Sequence, residues 1–181
     1  AGDVKAGKLP PVAERLPALP HITDMESAGL KTGSYGGKLK TIIGREKDVR
    51  LMNVYGYARL VGYNAQLDLV PDILAAVDVE EGRIFTLYLR DGHRWSDGHP
   101  FTAEDFRYYW EDIANNEELS PAGPPSSFLI NGKQPVVEII DEVTVRYTWD
   151  RPNPNFLAML ARSRPPFIYR PAHYLKQFHI K

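Results

Sequence analysis

From Leu89 to Trp110 the chain reads LRDGHRWSDGHPFTAEDFRYYW, an order that few folds accommodate. Phe85, Leu87 and Leu89 alternate with Thr86, Tyr88 and Arg90, the period of a strand with one buried face. Asp91-Gly92 and Asp97-Gly98 are turn dipeptides. Pro100-Phe101-Thr102 then leads into a helix start, where Thr102 caps and Asp105 completes a Thr-x-x-Asp variant of the capping box. Ala103, Phe106, Trp110 and Ile113 recur at helical spacing and predict one buried face. Arg107 and Glu111 form an i,i+4 pair on the outer side. The helix is predicted to end around Asn115-Asn116.

The flanking segments continue the pattern. Ala75–Val79 and Arg83–Arg90 predict a hairpin turning at Glu80-Glu81-Gly82. Val136–Ile140 and Val143–Trp149 predict a second, turning at Asp141-Glu142. Two short extended pieces, Arg59–Tyr63 and Gln66–Val70, surround Asn64-Ala65, and Pro71 stops the second. Lys38–Ile43 reads as a strand entered from Tyr35-Gly36-Gly37, with Leu39, Thr41 and Ile43 on one face. A charged loop, Arg45–Arg50, follows, and Leu51–Tyr57 carries a helical spacing in Leu51, Val54 and Tyr55. Residues 117–135 read as irregular; a short helix starting at Asn155 or Asn153 carries Phe156, Leu157 and Leu160 and is broken at Arg164-Pro165-Pro166, and Ala172–Phe178 reads as a last helix behind Pro171. Residues 1–34, punctuated by Pro10, Pro11, Pro17 and Pro20, predict an extended surface arm with a helical turn near Val12–Leu16. The sum is an α+β pattern of antiparallel hairpins and few helices.

With 181 residues, 43% hydrophobic, the chain is long enough for a real core. A net charge of -1 gives no basic surface for nucleic acid or an anionic membrane. The absence of cysteine excludes disulfides, zinc-thiolate sites, a thiol nucleophile and a cysteine-linked lipid anchor for this chain. No apolar run approaches the roughly 20 residues of a membrane span. The start at Ala1 suits a processed export product or an arbitrary boundary equally.

The densest polar cluster is His93, Ser96, Asp97 and His99. It admits a metal site or a hydrolase, but both histidines stand beside glycine in turn-like sequence, and no third ligand has a fitting spacing. A Ser-His-Asp triad lacks its Gly-x-Ser-x-Gly elbow. Gly33–Gly37 precedes a predicted strand, whereas phosphate loops follow one, so its glycines supply backbone freedom. Arg45–Arg50 is either a solvated loop or a ligand-facing one, since loops at strand ends carry function on rigid scaffolds. Tyr55, Tyr57, Tyr63, Tyr108, Tyr109 and Trp110 suit a core or an apolar groove with polar handles.

Leu69-Val70-Pro71-Asp72-Ile73-Leu74-Ala75-Ala76, then Phe85–Gly92, then Trp95-Ser96-Asp97-Gly98-His99-Pro100-Phe101-Thr102-Ala103-Glu104-Asp105-Phe106 form an order that resembles the family 5 extracellular solute-binding proteins. These are the oligopeptide-, dipeptide- and nickel-binding components of ABC importers. The resemblance covers roughly Tyr35 to the C-terminus and is sharpest over Phe85–Phe106. It implies a periplasmic-binding-protein-like fold of type II, cluster C-like. The chain would be a partial first lobe with a mixed sheet, hairpins and few helices: an arm over 1–34 and an incomplete lobe over 35–181. Members are much longer, so the second lobe would be a partner from the remainder of the same protein. The implied function is binding of a peptide or related small solute between two lobes, for delivery to ABC permease subunits, in the periplasm. No catalysis, cofactor or nucleic acid is implied. Sugars, opines and metal chelates are ligands of some relatives. By the same resemblance, ligand contacts fall in Gly44–Asp48 and Ser120–Phe128, at Arg45, Glu46 and Phe128, while Phe85–Phe106 is scaffold.

Overall fold

A computed structural model describes residues 2–27, 29–34, 36–38, 40–52, 58–162 and 165–179. The arm carries two short helices, α1 (Gly2–Lys5) and α2 (Val12–Arg15), neither with a buried residue. Its contacts with the body include the Ala18 N–H donating to the Asp91 carbonyl at 3.2 Å. His21 Nδ1 also lies 3.3 Å from Asp72 Oδ1. Gly92 makes the first contact possible: its φ is 72°, and a Cβ there would stand 2.9 Å from the Ala18 nitrogen.

The strand predicted over Lys38–Ile43 is a correction. The described residues from Gly36 to Ile43 have no regular structure, and Ile42 is 97% exposed. Alternation alone does not make a strand; a strand needs a neighbour for its backbone groups, and no described segment pairs with this one. Tyr35 and Leu39 lie outside the described residues, as do 53–57 with Val54, Tyr55 and Tyr57. Glu46–Met52 is a 3-10 helix rather than a plain charged loop. Its start is fixed locally, since Asp48 Oδ2 accepts the Arg45 N–H at 3.1 Å.

β1 (Val61–Tyr63) and β2 (Leu69–Pro71) form a small antiparallel pair. Asn64 Oδ1 organises their connection by accepting the N–H groups of Gln66 at 2.9 Å and Asp68 at 2.8 Å. Pro71 sits opposite Val61 at the end of its strand rather than stopping it beforehand. β3 (Leu74–Glu80), β4 (Ile84–Leu89), β5 (Val136–Asp141) and β6 (Thr144–Thr148) build the main sheet, in the order β3-β4-β6-β5. Both predicted hairpins are therefore present, and β4 against β6 joins them. The mixed sheet implied by the resemblance is antiparallel throughout its described strands. Glu81 and Gly82 both have positive φ, 52° and 64°, which gives the first hairpin a turn whose twist matches its strands.

α3 (Ala103–Arg107) runs on without a break into a π-helical stretch, Tyr108–Ala114. The wider π turn alters the predicted face: Tyr108, Tyr109 and Trp110 are buried in succession, with Asp112 and Ala114. Arg107 reaches Glu111 at 2.7 Å as predicted, but also Glu104 at 2.7 Å and the buried Asp112 at 3.0 Å. α4 (Phe156–Leu160) and α5 (Ala172–Leu175), the latter continued by a 3-10 turn at Lys176–Phe178, complete the elements. No described helix is long and apolar enough to cross a membrane.

The core lies between one face of the main sheet and the helices. Leu87, Phe106, Phe128, Val145, Tyr147, Trp149 and Phe156 are all buried in it. Phe156 packs against Trp149, Phe85, Tyr147 and Phe128, with ring centroids 4.8–6.1 Å apart. The Tyr147 hydroxyl finds no partner among the described residues, and burial pushes its pKa up.

Asp105 ties the scaffold together. Its buried carboxylate accepts the Trp95 indole N–H at 2.9 Å and the Thr102 N–H at 3.1 Å through Oδ2. Oδ1 accepts the Ala172 N–H at 3.0 Å, and the Asp105 carbonyl accepts the Arg170 N–H at 3.0 Å. The residue that caps α3 thus also holds the start of α5.

Candidate functional site

The His93–His99 cluster resolves into packing and turn chemistry. His93 sets its ring edge-to-face on Phe101 at 5.5 Å, and burial, then the Arg90 charge, lowers its pKa. Asp97 turns away from it. Asp97 Oδ1 accepts the His99 backbone N–H at 3.0 Å, and Oδ2 accepts from His173 Nε2 at 2.7 Å. The His173 hydrogen bond is the main cause that lowers the Asp97 pKa. His99 stacks flat on His173, centroids 3.8 Å apart and planes at 3°, and its Nδ1 donates to the Pro100 carbonyl at 3.0 Å. His93 therefore serves Phe101, while Asp97 and His99 both serve His173. Among the described residues no group of three or more His, Asp or Glu has a metal-binding arrangement.

A folded-back surface segment follows the π-helical stretch. Asn116 Oδ1 accepts the N–H groups of Glu118 at 3.0 Å and Leu119 at 3.1 Å, which folds the chain back. The Ser120 N–H donates to the Asn116 carbonyl at 2.7 Å, and the Gly123 N–H to Ser120 at 2.8 Å. The segment then drops into the core at a 3-10 turn, Ser126–Phe128. Three concavities border it. One of about 590 Å³ is lined by Asn115, Glu117 and Ser120–Gly123. A second, of about 440 Å³, lies between Pro124, Leu129 and Gly132–Gln134. The third, of about 540 Å³, is more apolar, with Ile113, Leu119, Leu175 and Phe178 in its walls. All three are shallow and open to solvent. Lys133 stands at the rim, 3.0 Å from Asp150, whose pKa it lowers.

The residues singled out from sequence occupy two environments. Arg45 and Glu46 are exposed at the start of the 3-10 helix. Phe128 is 0% exposed, between Trp110 at 6.0 Å and Phe156 at 6.1 Å, and its carbonyl accepts the Trp149 indole N–H at 2.8 Å. Its ring offers no face to a ligand. That corrects its expected side-chain contact: an aromatic flanked by Trp110 and Trp149 in space completes the core in preference to lining a groove. His173, 76 residues from Asp97, escaped the sequence reading because nothing local links them.

The profile described as bacterial extracellular solute-binding proteins, family 5 Middle, matches residues 68–178. The chain belongs to this family. The matched span holds the main sheet, the Asp105 joint and the concave surface after the π-helical stretch. Among relatives of this solute-binding family, the periplasmic alpha-galactoside-binding protein of Rhizobium meliloti (strain 1021) is 32% identical over 199 residues. That match covers 98% of this chain and 28% of the relative. An oligopeptide-binding protein of known structure, OppA, superposes with a TM-score of 0.77 at 32% identity, covering 98% of this chain and 27% of that one. The periplasmic binding protein MelB of Agrobacterium fabrum C58, in complex with stachyose, superposes with a TM-score of 0.66 at 28% identity, covering 97% and 29%. The chain thus spans less than a third of each of these solute-binding relatives.

Proposed function

We propose that this chain forms part of the first lobe of a periplasmic solute-binding protein. The whole protein binds a peptide or related small solute between two lobes and hands it to the permease of an ABC importer, without catalysis. The observation that carries this reading is the family match across 68–178, on a scaffold whose conspicuous polar cluster is spent on turns and packing. In this reading residues 1–34 are a surface arm and 35–181 the incomplete lobe, with the second lobe supplied by the rest of the protein. Arg45 and Glu46, exposed at the start of the 3-10 helix, contact the solute directly. The 120–128 segment contributes backbone groups rather than the Phe128 ring. Backbone and bridging-water contacts suit a peptide, because they are common to every sequence.

A second reading, an oligosaccharide of the α-galactoside class, draws support from the R. meliloti relative and the stachyose complex, both of which align with the arm as well as the lobe. Isothermal titration of the full-length protein with tetrapeptides and with stachyose separates the two. Heat with peptides alone supports the first reading, and heat with stachyose alone the second. A folded protein silent to both sinks the proposal.

A further inference from the structure

The hairpin between Ile130 and Lys133 is closed by two backbone hydrogen bonds of 3.0 Å, each residue donating to the other's carbonyl. Its central residues, Asn131 at φ 51° and Gly132 at φ 77°, take the type I′ arrangement and are exposed. This is the one Asn-Gly pair in the chain. Glycine has no side chain to shield its nitrogen, so the Asn131 Cγ is open to attack by the next amide. Asn64, Asn115 and Asn116, by contrast, are held. Asn64 Oδ1 and Asn116 Oδ1 each accept two backbone N–H groups, and Asn115 Nδ2 donates to the Trp110 carbonyl.

We propose that Asn131 is a modification site, converted by water to aspartate and isoaspartate. The Gly132 nitrogen gives its proton to solvent base and attacks Asn131 Cγ. The bond from Cγ to the side-chain nitrogen breaks, and that nitrogen takes a proton from water and leaves as ammonia. Water then opens the five-membered imide. Cleavage between Cγ and the ring nitrogen gives aspartate. Cleavage between the former main-chain carbonyl carbon and that nitrogen gives isoaspartate, with the chain running through the side chain. Either product places a new carboxylate two residues from Lys133, which holds Asp150 at 3.0 Å. Isoaspartate also lengthens the backbone by one methylene and breaks the Ile130–Lys133 pairing. Gly132 and Lys133 line the concavity of about 440 Å³, so the change reshapes its wall.

The fold sets the rate. Ring closure requires the Gly132 nitrogen to swing about the Asn131 Cα–C bond, and the paired hydrogen bonds oppose that rotation. The full-length protein, incubated folded and in urea at mildly alkaline pH, is digested and mapped by mass. Amide loss concentrates at Asn131 and runs roughly tenfold faster in urea, the population cost of opening two exposed backbone hydrogen bonds. Asn131→Gln abolishes the fast loss while leaving the circular dichroism unchanged, because glutamine must close a larger ring. Loss in urea spread evenly over the asparagines, or none at Asn131, overturns the proposal. Equal rates in the two conditions overturn the protective role of the turn.

Discussion

The arm and the Phe85–Phe106 unit both carry prolines, glycines and large apolar side chains, yet they meet opposite fates. In the arm, Leu16, Leu19 and Ile22 are 50%, 64% and 81% exposed. In the unit, Phe85, Leu87, Leu89, Phe101 and Phe106 are all buried. The difference lies in polar closure. The unit's turns end on named acceptors, with Asp97 on the His99 N–H and Asp105 on Trp95, Thr102 and Ala172. The arm's described tethers to the body, by contrast, are Ala18 on Asp91 and His21 on Asp72. Apolar residues stay buried where backbone polar groups are satisfied around them.

Four measurements test that contrast. The largest effect is expected from Phe106→Ala, which empties a fully buried site and costs about 3–5 kcal/mol in urea unfolding. Leu19→Ser in the arm changes the same midpoint by less than about 0.5 kcal/mol. Equal effects would abolish the distinction. Asp105→Ala comes next, at about 2–4 kcal/mol, because it strands the N–H groups of Trp95, Thr102 and Ala172. Its signature is early deuterium uptake around Ala172, far in sequence from the substitution.

Gly92→Ala sharpens the boundary between the regions. The positive φ and the clash with Ala18 together cost about 1–2 kcal/mol and lift the arm away. Limited proteolysis then cuts residues 17–21 faster while leaving the main sheet intact. Cleavage at the wild-type rate would show that Ala18 is not held there.

The smallest effect is electrostatic. Arg107, with help from Lys176, holds Glu104 down at a pKa of about 2 against an ordinary 4.5. A depressed carboxylate contributes stability above its ordinary pKa and loses it as pH falls toward the folded value. The loss therefore falls between pH 4.5 and about 2. The Glu104 side chain is 41% exposed, so screening limits the contribution to less than about 1 kcal/mol. Glu104→Gln should flatten that part of the acid-unfolding curve, and an unchanged curve would remove the pair from the account.

The two hairpins were legible because alternation and turn residues are local, and so was the capping role of Asp105 at Thr102. Its second role, at Ala172, depends on a contact 67 residues away and leaves no local trace. The π turn was invisible for a related reason. Hydrogen-bond register inside a helix is settled by packing, here the burial of Tyr108, Tyr109 and Trp110 in succession. Lys38–Ile43 had the alternation of a strand but no described partner. On the candidate site, only the family resemblance singled out the 120–128 segment, and whether Phe128 faces inward or outward depends on Trp110, Trp149 and Phe156, which only the fold assembles.

The joint at Asp105 has a mechanical consequence. A pull on Ala172 reaches the foot of α3 through one carboxylate, bypassing the 67 residues of chain between them. Load applied to α5 is therefore shared directly with α3 and the turn that carries Trp95.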